Sequence, residues 1–181
     1  MIPRTPLPPQ RRLRPVQVSR LMVVDRDGAD AVTVFETADL VEAPNWTPDG
    51  RWLVVNSRGL LFRIAADGST GLQRIDTGAI VDANNDHVLS PDGRTIYLSA
   101  DDGHLYSVPF AGGVPRRISN VHPLQRRFRY YLHGVSPDDR SLAYVGVEAA
   151  DAGVSSLIRC LRWWAGCPSP PTTPRGPWRW R

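Results

Sequence analysis

The sequence predicts an all-β fold: a partial β-propeller of about three four-stranded antiparallel blades, with irregular termini. Three observations carry this expectation. A short corner of the form Ser/Thr-Pro-Asp-Gly/Asp-Arg occurs three times, successive prolines of that corner lie 43 and then 46 residues apart, and an alternating apolar run follows each copy. Self-similarity at about 40–50 residues is the signature of units that bury their apolar faces only against one another.

The three copies are Thr47-Pro48-Asp49-Gly50-Arg51, Ser90-Pro91-Asp92-Gly93-Arg94 and Ser136-Pro137-Asp138-Asp139-Arg140. Proline presets φ for the first corner of a type I turn, Asp suits the next place, and Gly or Asp tolerates the left-handed residue that follows. Each corner therefore joins two strands as a hairpin. After the second corner, Ile96-Tyr97-Leu98-Ser99 alternates with β-branched and aromatic residues, and Asp101-Asp102-Gly103 turns the chain into a strand over 105–110. Ala111-Gly112-Gly113 turns it again into an outer strand over 115–119. Four antiparallel strands in one repeat make a propeller blade.

From the N-terminus, residues 1–18 read as a disordered arm rich in Pro and Arg. Residues 19–37 match only the outer two strands of a blade, around Arg26-Asp27-Gly28, and 43–77 form a complete blade with strands over 52–56, 60–65 and 72–77. The second complete blade occupies 86–120, and 131–148 matches only the inner two strands. The chain is thus expected to open and close in mid-blade. Residues 149–181 read as an irregular tail.

Composition narrows the function classes. The 181 residues are 41% hydrophobic and 22% charged, as in a globular domain. The net charge of +4 belongs to the ends, because residues 1–20 and 158–181 each hold five Arg and no acid. The remaining twelve Arg face eighteen acids, a balance of −6, so nucleic acid is not expected as a partner. All 22 cations are Arg and none is Lys, which points to GC-rich codons. No apolar run reaches membrane-span length, and Pro and Arg stand where a signal peptide needs an apolar segment. The chain as written is therefore expected in the cytoplasm, whereas a different translation start would allow the periplasm. The two cysteines, Cys160 and Cys167, form no disulfide framework.

The corners, the strands after them and the Asp-Gly or Gly-Gly outer turns resemble the WD40-like PD40 repeats of TolB-type propellers, over roughly residues 19–148. The resemblance implies a bacterial protein-binding propeller linked to envelope transport, in which rings of six or more blades are often completed by strands from opposite chain ends. It also implies an enzymatic alternative: a fragment of a polysaccharide lyase with a channel metal, or the propeller domain of a peptidase.

From about Ser156 the alternation stops, and Arg159-Cys160-Leu161-Arg162-Trp163-Trp164-Ala165-Gly166-Cys167-Pro168 follows. Two readings stand: a basic, Trp-rich interaction tail, or a frameshift. GC-rich codons for Arg162 to Ser169, shifted by one base, encode Gly-Gly-Gly-Pro-Asp-Val-Arg, which is close to Ala111-Gly112-Gly113-Val114-Pro115-Arg116-Arg117. That match favours the frameshift and a truncated product.

The first strand of a blade lines the central channel, so the residues ahead of each corner are the candidate ligand contacts: Asn45, Asn85, Asp86, His87 and His133. His87 and His133 each stand four residues before the corner proline, and imidazoles facing a channel bind metals or carboxylates. Equivalent residues also arise by duplication alone, and Asn/Asp clusters such as Asn84-Asn85-Asp86 often only satisfy their own backbone. Arg126-Arg127-Phe128-Arg129-Tyr130-Tyr131 reads as an interblade loop whose tyrosines pack on a neighbouring blade. No nucleophile elbow, phosphate loop or zinc spacing is present, so no catalytic residue and no cofactor or metal is assigned. The expected partner is a protein or small ligand at the channel. Unpaired blade edges add a tendency to self-associate.

Overall fold

A computed structural model of the chain describes residues 12–150 and 153–162. Its regular structure is strand apart from one 3-10 turn at Leu124–Arg126, with no α-helix among the described residues. The strands β1 (Ser19–Val24) and β2 (Ala31–Thr37) form a two-stranded sheet. Blade 1 holds β3 (Glu42–Trp46), β4 (Trp52–Ser57), β5 (Leu60–Ala65) and β6 (Gln73–Arg74), hydrogen-bonded in that order. Blade 2 repeats it with β7 (Ala83–Leu89), β8 (Thr95–Ala100), β9 (Leu105–Pro109) and β10 (Arg116–Arg117). Blade 3 has β11 (Arg129–Val135), β12 (Ser141–Ala150) and β13 (Gly153–Arg162). All pairings are antiparallel.

The corners explain their own sequence. In each, the first hydroxyl accepts the backbone N–H of the residue that opens the next strand: Trp52 to Thr47 Oγ1 at 3.0 Å, Thr95 to Ser90 Oγ at 3.0 Å, Ser141 to Ser136 Oγ at 2.9 Å. The same hydroxyl donates to the corner carboxylate, Asp49, Asp92 or Asp138, at 2.6–2.7 Å. That carboxylate also accepts the N–H of Arg51, Arg94 or Arg140. The hydroxyl bond, then the backbone bond, holds all three carboxyls below the usual Asp range. The fourth residue is left-handed, with φ of +70° at Gly50 and Gly93 and +56° at Asp139.

Packing runs between sheets. Leu21 joins Leu53, Val55 and Ile64, setting the β1–β2 sheet on blade 1. Blades 1 and 2 close over an aliphatic cluster including Val54, Leu61, Leu89, Ile96, Leu98 and Val108. Blades 2 and 3 close over Tyr97, Leu105, Tyr130, Leu132, Leu142 and Tyr144. Because β8 sends Leu98 to one cluster and Tyr97 to the other, it is buried on both faces, as a central strand must be.

Three expectations need correction. The outer strands are two residues long, not five or six, although Ile75 and Ile118 continue the ladder by donating to Leu61 O and Leu105 O. Blade 3 does not stop at 148: β12 runs to Ala150 and pairs with β13 through Gly153 to Arg162, inside the segment expected to be irregular. Val154, Leu157 and Ile158, with two serines between the first and second, precede the Arg/Cys/Trp-rich text, and that shift in composition hid the strand. Residues 126–131 are only partly loop, because β11 begins at Arg129 and Tyr130 is core at 2% exposure. Residues 1–11 and 163–181, with the bulk of the expected arm and tail, lie outside the described residues.

Candidate functional site

The innermost strands β3, β7 and β11 are neighbours in that order. Each carries an irregularity just ahead of its corner. In β3, Ala43 and Pro44 stand between the pairs Glu42–Asn56 and Asn45–Val54, and Ala43 takes a left-handed φ of +51°. In β7, three residues, Asn84, Asn85 and Asp86, occupy the space opposite Ser99. In β11, His133 is the extra residue between Leu132–Tyr144 and Gly134–Ala143. Bulges re-aim side chains that regular pleating would bury, and they gather next to binding sites.

These bulges separate the two histidines that sequence spacing makes equivalent. His87 lies in register with Leu98, whereas in blade 3 the matching partner, Tyr144, faces Leu132. The bulge has moved His133 out of step by one residue. His87 is therefore buried at 2% exposure, Leu132 takes the corresponding buried place at 1%, and His133 is exposed. Spacing along the chain could not reveal this, because a one-residue bulge exchanges the faces of a strand.

The polar residues differ in what they hold. Asn45 donates to Ala43 O at 3.1 Å and, across the blade boundary, to the backbone carbonyl of His87 at 2.9 Å. Asp86 N–H donates to Asn84 Oδ1 at 2.7 Å, and the Asn84 amide reaches Asp86 Oδ2 at 3.3 Å, so part of the cluster satisfies itself. Asn85 and Asp86 are half-buried on the bulge. His87 Nε2 is 3.3 Å from Val54 O and its Nδ1 has no partner; burial, opposed only by the Val54 bond, lowers its pKa to about 4. Asn56, which the sequence did not single out, bridges blades by donating to Ala83 O and Asn84 O at 3.0 and 2.9 Å. Its only signal was a polar residue inside an apolar strand. No group of three or more His, Cys, Asp or Glu able to hold a metal occurs among the described residues.

No protein-family model matches the chain. An uncharacterized protein of Agrobacterium fabrum is 40% identical over 120 residues, covering 64% of this chain and 39% of that protein. The solved structure of a TolB candidate from Agrobacterium tumefaciens is similar with a TM-score of 0.58 and 33% identity, over 71% of this chain and 49% of that one. The fold is a partial TolB-like propeller. An oligogalacturonate lyase of Vibrio parahaemolyticus shares the TolB-like architecture at 15% identity and a TM-score of 0.51, over 74% of this chain and 37% of the lyase, a likeness of fold alone. The chain spans about half the length of the TolB-like structure and less of the sequence relative. No helix among the described residues is long and apolar enough to cross a membrane.

Proposed function

We propose that this chain is a non-catalytic binding module, part of a TolB-like propeller, that presents Asn85, Asp86 and His133 at the channel to a protein or small ligand. The observation supporting this is the pair of bulges in the adjacent innermost strands β7 and β11, which bring Asn85, Asp86 and His133 out of strands that otherwise carry core. Asn45 and His87 belong to the frame of that surface, since each makes a side-chain hydrogen bond to the neighbouring blade. The envelope-transport association of TolB-type proteins makes a protein partner the first choice. The truncated, frameshifted reading of the gene belongs to the same proposal, and sequencing it tests that part directly.

The self-association expected from unpaired edges finds support on the opening sheet. Met22, Val24 and Val32 are about half exposed there, and Trp46 on β3 is 50% exposed, while its register equivalent Leu89 is covered at 9%. These residues are where further strands, from the rest of a propeller or a second copy, would pack.

A photo-crosslinking amino acid at position 85 or 133, in the chain expressed in a related bacterium, should give discrete protein adducts; one at Gln73 on the exposed outermost strand β6 should not. Equal labelling from all three positions, or none, would remove the channel reading. The lyase alternative is checked by following oligogalacturonate cleavage with and without added divalent metal, where the expected result is no unsaturated product.

A further inference from the structure

We infer that His87 makes the seam between blades 1 and 2 an acid-sensitive latch: a neutral imidazole lets the innermost strands close, and protonation at Nδ1, which has no acceptor, releases them. Two hydrogen bonds cross that seam at this one residue, Asn45 to its carbonyl at 2.9 Å and its own Nε2 to Val54 O at 3.3 Å. The second requires the proton on Nε2, which leaves Nδ1 as a bare lone pair. Among the described residues, Nδ1 is the buried side-chain polar atom without a partner. A bare lone pair buried in the fold is tolerable, but an imidazolium there needs a second acceptor and carries a full charge.

The ionisable groups on the packed strands do not compensate. On β7 itself, Asp86 is engaged with Asn84. Glu42 on β3 lies ahead of the bulge, and β4 has no ionisable residue. Arg63 on β5 sits over the rings of Trp52 and Phe110. Tyr97 on β8 turns toward blade 3 to bind Asp139, and Tyr106 on β9 donates to Asp102. On β11, Arg129 donates to Asp101 O, the Tyr130 hydroxyl lies 2.6 Å from His122 Nε2, and His133 is exposed. None of these contributes to the His87 shift, whose causes are burial and the Val54 carbonyl.

The folded value of about 4 lies below the ordinary 6.5, so the closed seam binds fewer protons than the open one. The stability His87 confers is complete above about pH 6.5 and is lost as pH falls from there toward 4. Between pH 7.5 and 5.0 the opening constant should rise roughly thirtyfold. The blade 2–blade 3 seam is an internal control, because Leu132 holds the corresponding place and its N–H donates to Ser99 Oγ at 2.8 Å.

Amide hydrogen exchange, corrected for intrinsic rates at pH 7.5 and 5.0, tests the latch with two reporters. The Ala83 N–H crosses the first seam to Gly59 O, and the Tyr130 N–H crosses the second to Gly103 O, each at 3.0 Å. Ala83 protection should fall about thirtyfold at pH 5.0 while that of Tyr130 holds, and His87→Leu should flatten the Ala83 response. Equal loss at both amides, or an unchanged Ala83, would overturn the latch. Should His87→Leu fail to fold, the wild-type His87 ring resonances decide: a midpoint well below 6 supports it, and an ordinary midpoint with the seam closed refutes it.

Discussion

The two blade seams use the same strand geometry and opposite chemistry. The seam of blades 1 and 2 is aliphatic in its core and is crossed by polar groups, the half-buried Asn45 and the buried Asn56 and His87. The seam of blades 2 and 3 replaces much of that with tyrosine, whose rings fill the core while hydroxyls reach partners beyond it. Tyr97 donates to Asp139 at 2.9 Å, and the Tyr130 hydroxyl lies 2.6 Å from His122 Nε2. An amide or imidazole inside a seam gives directional contacts and makes the seam sensitive to their state. An amphipathic ring supplies apolar area and places its polar atom elsewhere.

The largest way to break this contrast is Tyr130→Ala. Tyr130 is 2% exposed and stacks near Phe128 and Tyr144, with ring centroids 4.8 Å away in each case. Its loss should cost about 3–5 kcal/mol in urea unfolding and leave the aliphatic seam unaltered. Leu132→His would sharpen the comparison by moving an imidazole into the second seam. It should cost about 2–4 kcal/mol at pH 7.5 and make Tyr130 exchange acid-dependent, which the wild type is not expected to show. Asn56→Ala removes both bonds to β7 and leaves the buried carbonyl of Ala83 and the half-buried one of Asn84 short of a donor. About 1–3 kcal/mol should be lost, with faster exchange at Ala83 and little change at Tyr130. The smallest effect belongs to Asp139→Gly: relief of the left-handed backbone and loss of the Tyr97 bond oppose each other, so thermal unfolding should move by less than about 1 kcal/mol. In a Tyr97→Phe background, where only relief remains, the same change should stabilise.

The blades were legible in the sequence because their determinants are local. Thr47 to Trp52 contains the hydroxyl, the carboxylate and the left-handed glycine of the bend, and the same holds at Ser90, and at Ser136 with Asp139 in the left-handed place. The inner-strand candidates were legible only by position. Which way His87 and His133 point depends on bulges, and a bulge is set by pairing across the sheet, with no mark in the strand that carries it. Asn56 was missed because its partners, Ala83 and Asn84, are 27 and 28 residues away. The tyrosines of 126–131 were expected to pack on a neighbouring blade, and Tyr130 joins the core that blade 3 shares with blade 2, from a strand and not from a loop.

The hydroxyl-carboxylate corner has one more implication, for descent. Every hydrogen bond it needs lies within six consecutive residues, so a duplicated stretch of gene delivers a working bend wherever it lands. Seams depend on residues contributed by two neighbours and have to be reinvented after each copying event. Members of such a lineage should therefore keep nearly identical bends while the material between their blades diverges, as the aliphatic and tyrosine boundaries of this chain already do.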